Sequence, residues 1–544
     1  MLRHIERLGV LAILVAGLAP RVRDFTAPLD REFEGYQGAF FTISAVNYER
    51  LGIARTNGYP VLNIDLGPRA DPGREIWSKP QLWFVYTNHP PLVPVMAWAS
   101  LKVLAPEGWN TAWEESLPPR DFEAALRLPF LIVHLLGLLA FHWAARQAYG
   151  MRTSLVALAL FAAIPPSVFY ATLVNYENPA LLFTFLCAGF FVRYLRGGEK
   201  RNLVMLSICM GAGAAVTWAP LFFLIPFVLH AALARAPWRA FNIAWAAGGA
   251  GLIPVAAHAL LSRRTLEALG RDSSGIVARA RELLGPLLDG SAPVSEWATL
   301  QGQRLMSWCT PGVTAMAVVG LALSLVPIRS RKEEQAPVRL GLTLAAGAGL
   351  YLLAFYRHTL DTQHSFLMFP APAVALLAAL ALNAGAPLYL RLRAGHAPLV
   401  LATFTLAALC ALRFSALRNE FRSELGEPRS PGALVPEFPL PDVTGAEFRA
   451  LLPPGCFAVF PSSARLNLAP SLYAWRSTLP IDGPGDPVPF ARARSLGLEN
   501  APHYLLLPNA PTEAMRAQVE ALSALTTAPL PDATDERWSA WRVR

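Results

Sequence analysis

The chain has 544 residues, of which 54% are hydrophobic and 16% charged, with a formal net charge of +9. Soluble domains carry about 25% charged residues, so a water-soluble globule is excluded as the main architecture. Lys and Arg gather in short connections between apolar runs and build no basic, aromatic-interleaved face, which sets nucleic acid aside as a partner.

Runs such as Leu155–Ala163 and Leu340–Phe355 contain almost no ionisable group. A helix needs roughly 20 apolar residues to cross about 30 Å of hydrocarbon, and only helices or closed barrels satisfy their backbone there. The runs are Ala/Leu-rich and do not alternate, which points to helices and away from a barrel. About eleven spans are expected, near 5–20, 126–147, 153–172, 179–196, 202–218, 219–234, 240–261, 311–328, 340–356, 365–384 and 397–414. The expected class is therefore mainly α, a polytopic transmembrane helix bundle over residues 1–415.

Successive connections alternate between basic and non-basic. The basic set holds Arg3 and Arg7, then Arg146 and Arg152, then Arg193, Arg196, Lys200 and Arg201. It continues through Arg235, Arg239, Arg329, Arg331, Lys332, Arg339, Arg391 and Arg393. The positive-inside bias puts these in the cytoplasm, with the N-terminus, and places the chain in the inner (plasma) membrane as a multi-pass protein. The first run is short and is followed by Arg21 and Arg23, so a cleaved signal peptide is the alternative to a first span. Either reading leaves the next segment outside.

That segment, the first extracytoplasmic loop (21–125), opens with Asp30-Arg31-Glu32-Phe33-Glu34-Gly35-Tyr36. Carboxylates interleaved with aromatics, just before the apolar stretch Gly38–Val46, would be partly desolvated and suited to a general base. An ordinary solvated loop is the bland alternative. Lys79 follows, and then Asn88-His89-Pro90-Pro91-Leu92 leads into Val93–Leu104, too short to span and expected as a helix in the interface. Proline suits a first helical turn, and the amides and dipole of that turn can receive a phosphate, with His89 at the mouth. Arg127, in Leu126-Arg127-Leu128-Pro129, opens the second span, where a guanidinium either snorkels or clamps a lipid phosphate.

Glu177, in Asn175-Tyr176-Glu177-Asn178-Pro179, lies in the turn between the third and fourth spans, where a single acid is costly unless it has a partner or a task. A second outer loop, about 262–310, is expected to carry an amphipathic helix near Arg263–Leu288. Between the ninth and tenth spans, Arg357 adds a cation, and His358, Asp361 and His364 offer ligand types for a divalent metal, although surface histidines read the same way. No other cofactor is expected. The five cysteines form no CxxC pair, and Cys187, Cys209, Cys309 and Cys410 lie in or beside apolar runs as small buried hydrophobes. The extracytoplasmic C-terminal region, 416–544, reads as a small α/β domain. Strands are expected at Cys456–Pro461 and Tyr504–Leu507, and helices at Gly445–Leu452 and Pro511–Leu522.

The order of these motifs over residues 5–385 resembles the GT-C superfamily of membrane glycosyltransferases, in particular protein O-mannosyltransferases and aminoarabinose-to-lipid A transferases. The resemblance rests on the acidic motif after the first span, His89-Pro90-Pro91-Leu92, the Arg-Leu-Pro opening of the second span, the acid after the third span, and His364 ahead of the Pro-rich span with Pro370 and Pro372. It implies an inverting hexosyl- or pentosyltransferase of the cell envelope. The donor would be a polyprenyl-phosphate-linked sugar, and the acceptor a lipid, glycan or protein hydroxyl on the extracytoplasmic side. Asp30, Glu32, Glu34 and Glu177 would supply catalytic carboxylates, while Lys79, His89, Arg127, Arg357 and His364 would hold the donor phosphate. Two departures stand out: Arg31 separates the acids that are adjacent in many members, and Glu177 stands where Asp is usual.

Two other classes compete. A transporter or lipid flippase would place ionisable groups near the bilayer midplane, often in repeated halves, whereas the ionisable residues here are expected at span ends and no halves are evident. A receptor or scaffold would work through the C-terminal domain.

Overall fold

The computed structural model describes residues 2–22, 25–26, 32–62, 85–105, 107, 109, 122–268, 285–287, 289–290, 292–325, 339–356, 359, 368–384, 397–423 and five strands within 457–543. The chain divides into two compact units. One comprises Met1–Phe25, Arg127–Leu260 and Ser274–Ala433; the other comprises Thr26–Leu126, Leu261–Ser273 and Leu434–Arg544. The first loop and the C-terminal region thus fall in the same unit.

The helices in chain order are α1 (Leu2–Val22), α2 (Glu32–Leu51), α3 (Leu92–Leu104), α4 (Phe122–Tyr149), α5 (Met151–Ala163), α6 (Pro165–Phe169), α7 (Glu177–Gly197), α8 (Lys200–Val216) and α9 (Ala219–Leu233). They continue with α10 (Pro237–Ala268), α11 (Val294–Trp308), α12 (Pro311–Leu325), α13 (Leu340–Ala354), α14 (Pro370–Ala384) and α15 (Ala397–Ser423). Every expected span coincides with a helix of this series. Among the described residues, α4, α7 and α10 are each long and apolar enough to cross a membrane alone, and the bent pairs α5–α6 and α11–α12 raise that number to five.

The breaks follow from the sequence. Pro165 has no amide to continue α5, and its ring would strike the carbonyl four residues back. Ile164 before it takes an extended ψ of 129°, as residues preceding proline do. The pair turns by 68°. At Thr310-Pro311 the proline again denies the helix an amide, here with Thr310 in the left-handed region at φ 67°, and α11 turns into α12 by 119°. In α14, by contrast, Pro370 and Pro372 sit in the first turn, where no donor is lost.

α14 is the centre of the larger helical unit: Pro370 through Ala379 and Leu382 are all buried, as expected of a helix apolar on every side. It packs on α12, α5 and α13, while α7 pairs with α8 and α9 with α13. At the periphery the pattern inverts. Leu233 (85%), Trp238 (78%) and Trp245 (77%) are exposed, a surface that hydrocarbon and not water would cover.

The second outer loop departs from expectation. Arg263 and Arg264 lie within α10, which runs unbroken to Ala268, because the apolar helix carries its neighbours along its own axis. Residues 269–284 lie outside the described residues, and α11 occupies a stretch where no helix was expected. The four cysteines of the apolar runs are free and buried, as expected.

In the C-terminal region, β1 (Phe457–Pro461), β2 (Ser477–Ile481), β3 (His503–Pro508), β4 (Thr526–Thr534) and β5 (Trp538–Val543) form one sheet of order β2-β1-β3-β5-β4. β1 is parallel to both β2 and β3, and β5 is antiparallel to β3 and β4. β4 holds Pro529 and Pro531, which an edge strand tolerates, and its register with β5 shifts on both sides of Pro529. Both expected strands are present; the helices expected at 445–452 and 511–522 lie outside the described residues.

Candidate active site

In the unit that contains the first loop, α2 begins at Glu32, so Glu32 and Glu34 both belong to its first turn; Asp30 lies outside the described residues. The helix then buries Phe40, Phe41, Ile43, Ala45 and Val46. Its C-terminal half organises the segment that carries His89. Asn47 Nδ2 donates to the Val61 carbonyl at 2.6 Å, and the Tyr48 hydroxyl donates to the Gly58 carbonyl. Val61 bridges Val85 in antiparallel sense, and Tyr86 N–H donates to the Pro60 carbonyl at 2.9 Å. Leu51, Tyr59, Val61 and Val85 close a small apolar core over this bridge. Burial pushes the Tyr59 phenol well above its ordinary pKa, against the opposing pull of a hydrogen bond with Ser262, so it remains a neutral group.

From this bridge an aromatic row leads to the expected site. The Phe40 ring meets Tyr86 edge-on at 4.9 Å, and Tyr86 lies 6.1 Å from the His89 imidazole at an interplanar angle of 30°. His89 is half-buried, just ahead of α3. The helix starts at Leu92 with Pro91 as its cap. Pro94 in the first turn removes an amide, so only Leu92 and Val93 offer unpaired N–H donors before Val95 closes on the Pro91 carbonyl at 3.1 Å. Gly58, at φ 78°, lies under Pro91: a Cβ there would stand 3.2 Å from the proline ring. At the other end of α3, Glu49 accepts from Trp98 Nε1 at 2.6 Å and pairs with Lys102 at 3.0 Å. Lys79 lies outside the described residues.

In the larger helical unit, Arg127 does not snorkel. It is 1% exposed, and Nη1 donates to the Phe25 carbonyl at 2.9 Å. Glu177 is the first residue of α7, half-buried between Tyr176 and Asn178. Arg357, His358, Asp361 and His364 lie outside the described residues. Among the described residues no cluster of three or more His, Cys, Asp or Glu is arranged to hold a metal.

Beside Glu177 runs a buried polar chain that sequence reasoning missed. Arg21, 3% exposed, donates through Nη2 to the Ala162 carbonyl at 2.8 Å and to Ser167 Oγ at 3.1 Å, and through Nη1 to the Gly17 carbonyl at 2.5 Å. Ser167 Oγ lies 3.4 Å from His134 Nε2, and His134 Nδ1 lies 3.0 Å from Asn178 Oδ1. Asn178 Nδ2 donates to the Tyr170 carbonyl at 2.6 Å, while its backbone N–H reaches Asn175 Oδ1 at 3.3 Å. This chain fixes the turn that bears Glu177 to α4 and α6. It also corrects the expectation that ionisable residues keep to span ends, since His134 is buried inside α4. The available signal was a histidine within an apolar run, which must find partners where water is absent.

Comparison with known proteins adds the following. Residues 120–260 match the family described as Dolichyl-phosphate-mannose-protein mannosyltransferase. The structure of ArnT from Cupriavidus metallidurans bound to undecaprenyl phosphate superposes with a TM-score of 0.58 at 12% identity, over 98% of this chain and 97% of that one. The apo form of ArnT gives 0.56 at 13% identity, covering 97% of each chain. Archaeal oligosaccharyltransferase AglB from Archaeoglobus fulgidus, in complex with an inhibitory peptide and a dolichol-phosphate, gives 0.51 at 12% identity over 92% of this chain and 69% of that one. Nothing among the curated proteins matches the chain. The chain is a multi-pass helical membrane protein that shares the fold of these solved glycosyltransferases, in line with the resemblance read from the sequence.

Proposed function

We propose that this chain is a membrane glycosyltransferase that moves a sugar from a polyprenyl-phosphate donor to an acceptor hydroxyl at the extracytoplasmic face, with inversion at the anomeric carbon. One observation carries the reading. The fold is shared over nearly the whole chain with a protein solved with undecaprenyl phosphate bound, and the segment matching the mannosyltransferase family, 120–260, contains both Arg127 and Glu177.

In the proposed reaction the acceptor oxygen attacks the anomeric carbon and its proton passes to a carboxylate. The bond from that carbon to the phosphate oxygen breaks, and the polyprenyl phosphate leaves with the electron pair. Asp30, Glu32 and Glu34 are the candidates for the base, and Glu177 orients the acceptor or shares the proton. Lys79, His89, Arg127, Arg357 and His364 are the proposed partners of the leaving phosphate, whose growing charge cations and helix amides stabilise. Acceptors are lipid, glycan or protein hydroxyls. The proposed setting is the inner membrane, with the N-terminus cytoplasmic and the sheet region outside.

The test incubates the purified protein with a panel of polyprenyl-phosphate sugars and follows loss of donor by mass spectrometry. Consumption of one donor is expected, reduced by about 100-fold or more when the base is removed. Asp30→Asn, Glu32→Gln, Glu34→Gln and Glu177→Gln are each to be measured. If all four variants turn the donor over at the parent rate, the assignment of the carboxylates is wrong.

A further inference from the structure

The N-terminal half of α1 and the C-terminal half of α4 border an open cavity of about 500 Å³, lined by Glu6, Arg7, Leu11, Leu14, His142 and Arg146. Its polar wall is fixed. Glu6 and His142 are 6% and 8% exposed; the Glu6 carboxylate accepts from Arg146 Nε at 2.9 Å and lies 3.2 Å from His142 Nε2. Glu6 and Arg146 cancel one pair of charges, which leaves Arg7, exposed at the same cavity, as excess positive charge. The apolar wall continues along α1. Leu8, Leu11 and Val15 are 66%, 57% and 60% exposed on a helix whose surroundings are hydrocarbon.

A cavity cationic at one end and apolar along its length has the chemistry of a phospholipid. Basic pockets between transmembrane helices on the cytoplasmic side recognise anionic head groups, and these residues belong to the basic set assigned to that side. We propose that this cavity holds one anionic phospholipid, with its phosphate at Arg7 and an acyl chain along Leu11 and Leu14. None of these residues takes part in the proposed sugar transfer, so the lipid site stands or falls separately from it.

Native mass spectrometry of the full chain, purified in a neutral detergent, tests this. Phosphatidylglycerol, phosphatidylcholine of the same acyl chains and inorganic phosphate are added in separate arms. Wild type is expected to retain phosphatidylglycerol in preference to phosphatidylcholine. Arg7→Gln should weaken that retention roughly fivefold, the worth of one basic side chain at an anionic lipid surface. Leu11→Trp, at an exposed position that accepts bulk, should weaken it by obstructing the chain track. Equal retention of the two lipids by wild type, or undiminished phosphatidylglycerol binding by Arg7→Gln, overturns the proposal. So does displacement of the lipid by inorganic phosphate, which would mark a simple anion site. Should either variant fail to fold, the wild-type comparison and the phosphate arm still decide.

Discussion

Gly58 shows how much can depend on one missing Cβ. Its φ of 78° belongs to a region where side-chain-bearing residues are strained by about 1–2 kcal/mol, and Pro91 leaves 3.2 Å where a methyl group would stand. The Tyr48 hydroxyl also fixes its carbonyl, so the turn cannot easily move aside. Gly58→Ala is therefore expected to cost about 1–3 kcal/mol, read as a lower unfolding midpoint in detergent. Donor turnover should fall further than stability does, since displacing Pro91 displaces His89 two residues earlier. Turnover that tracks the folded fraction alone would reduce Gly58 to a structural role. The buried Arg21 makes a related point: carbonyl and hydroxyl partners on α1, the end of α5 and α6 meet its two terminal nitrogens, while its Nε is buried without a partner among the described residues, so the guanidinium is only partly compensated for leaving water.

At the scale of elements, helix against helix in this bundle is a matter of close approach, because lipid provides no hydrophobic drive between apolar surfaces. The contact of α12 with α14 is the extreme case: a Cβ on Gly320 would stand 1.9 Å from the Leu377 carbonyl oxygen. That neighbour is backbone and cannot rotate away. Gly320→Ala is expected to part the two helices and lower the unfolding midpoint, at about 1–3 kcal/mol. Gly349→Ala on α13, which meets nothing within 4 Å, is the matched control and should be neutral or slightly stabilising through helix propensity. Equal midpoints for the two variants would refute the packing account. Helix positions were legible in the sequence because apolar runs and prolines act locally: Pro165 and Pro311 mark the bends where they stand. The run of α10 through Arg263 was not legible, since composition alone turns two arginines into a loop. The bond from Arg21 to Ser167 was also hidden, for its partners lie 146 residues apart and no local pattern joins them.

At the scale of the whole molecule, the proposed site depends on which side of the membrane the first loop faces. The sequence supports that orientation through charge bias alone, whereas the fold is supported by helix positions and by likeness to solved structures. Candidate site residues were legible as motifs. The unit boundaries were not, because a loop between spans and a distant C-terminal sheet region fall in one unit through contacts that no stretch of sequence contains. Orientation is accessible by cysteine labelling, and the molecule is well suited to it: Cys187, Cys209, Cys309 and Cys410 are buried, so only Cys456 needs replacement by serine. A probe is then placed at exposed Glu107 in the first loop or at exposed Lys200 at the start of α8. With a membrane-impermeant maleimide on cells whose inner membrane is intact, Glu107→Cys is expected to label and Lys200→Cys to label only after permeabilisation. The opposite pattern would put the acids of the first turn of α2 and the His89 segment in the cytoplasm. A donor presented at the outer face would then be out of their reach, and the carboxylate chemistry would have to be sought elsewhere in the chain.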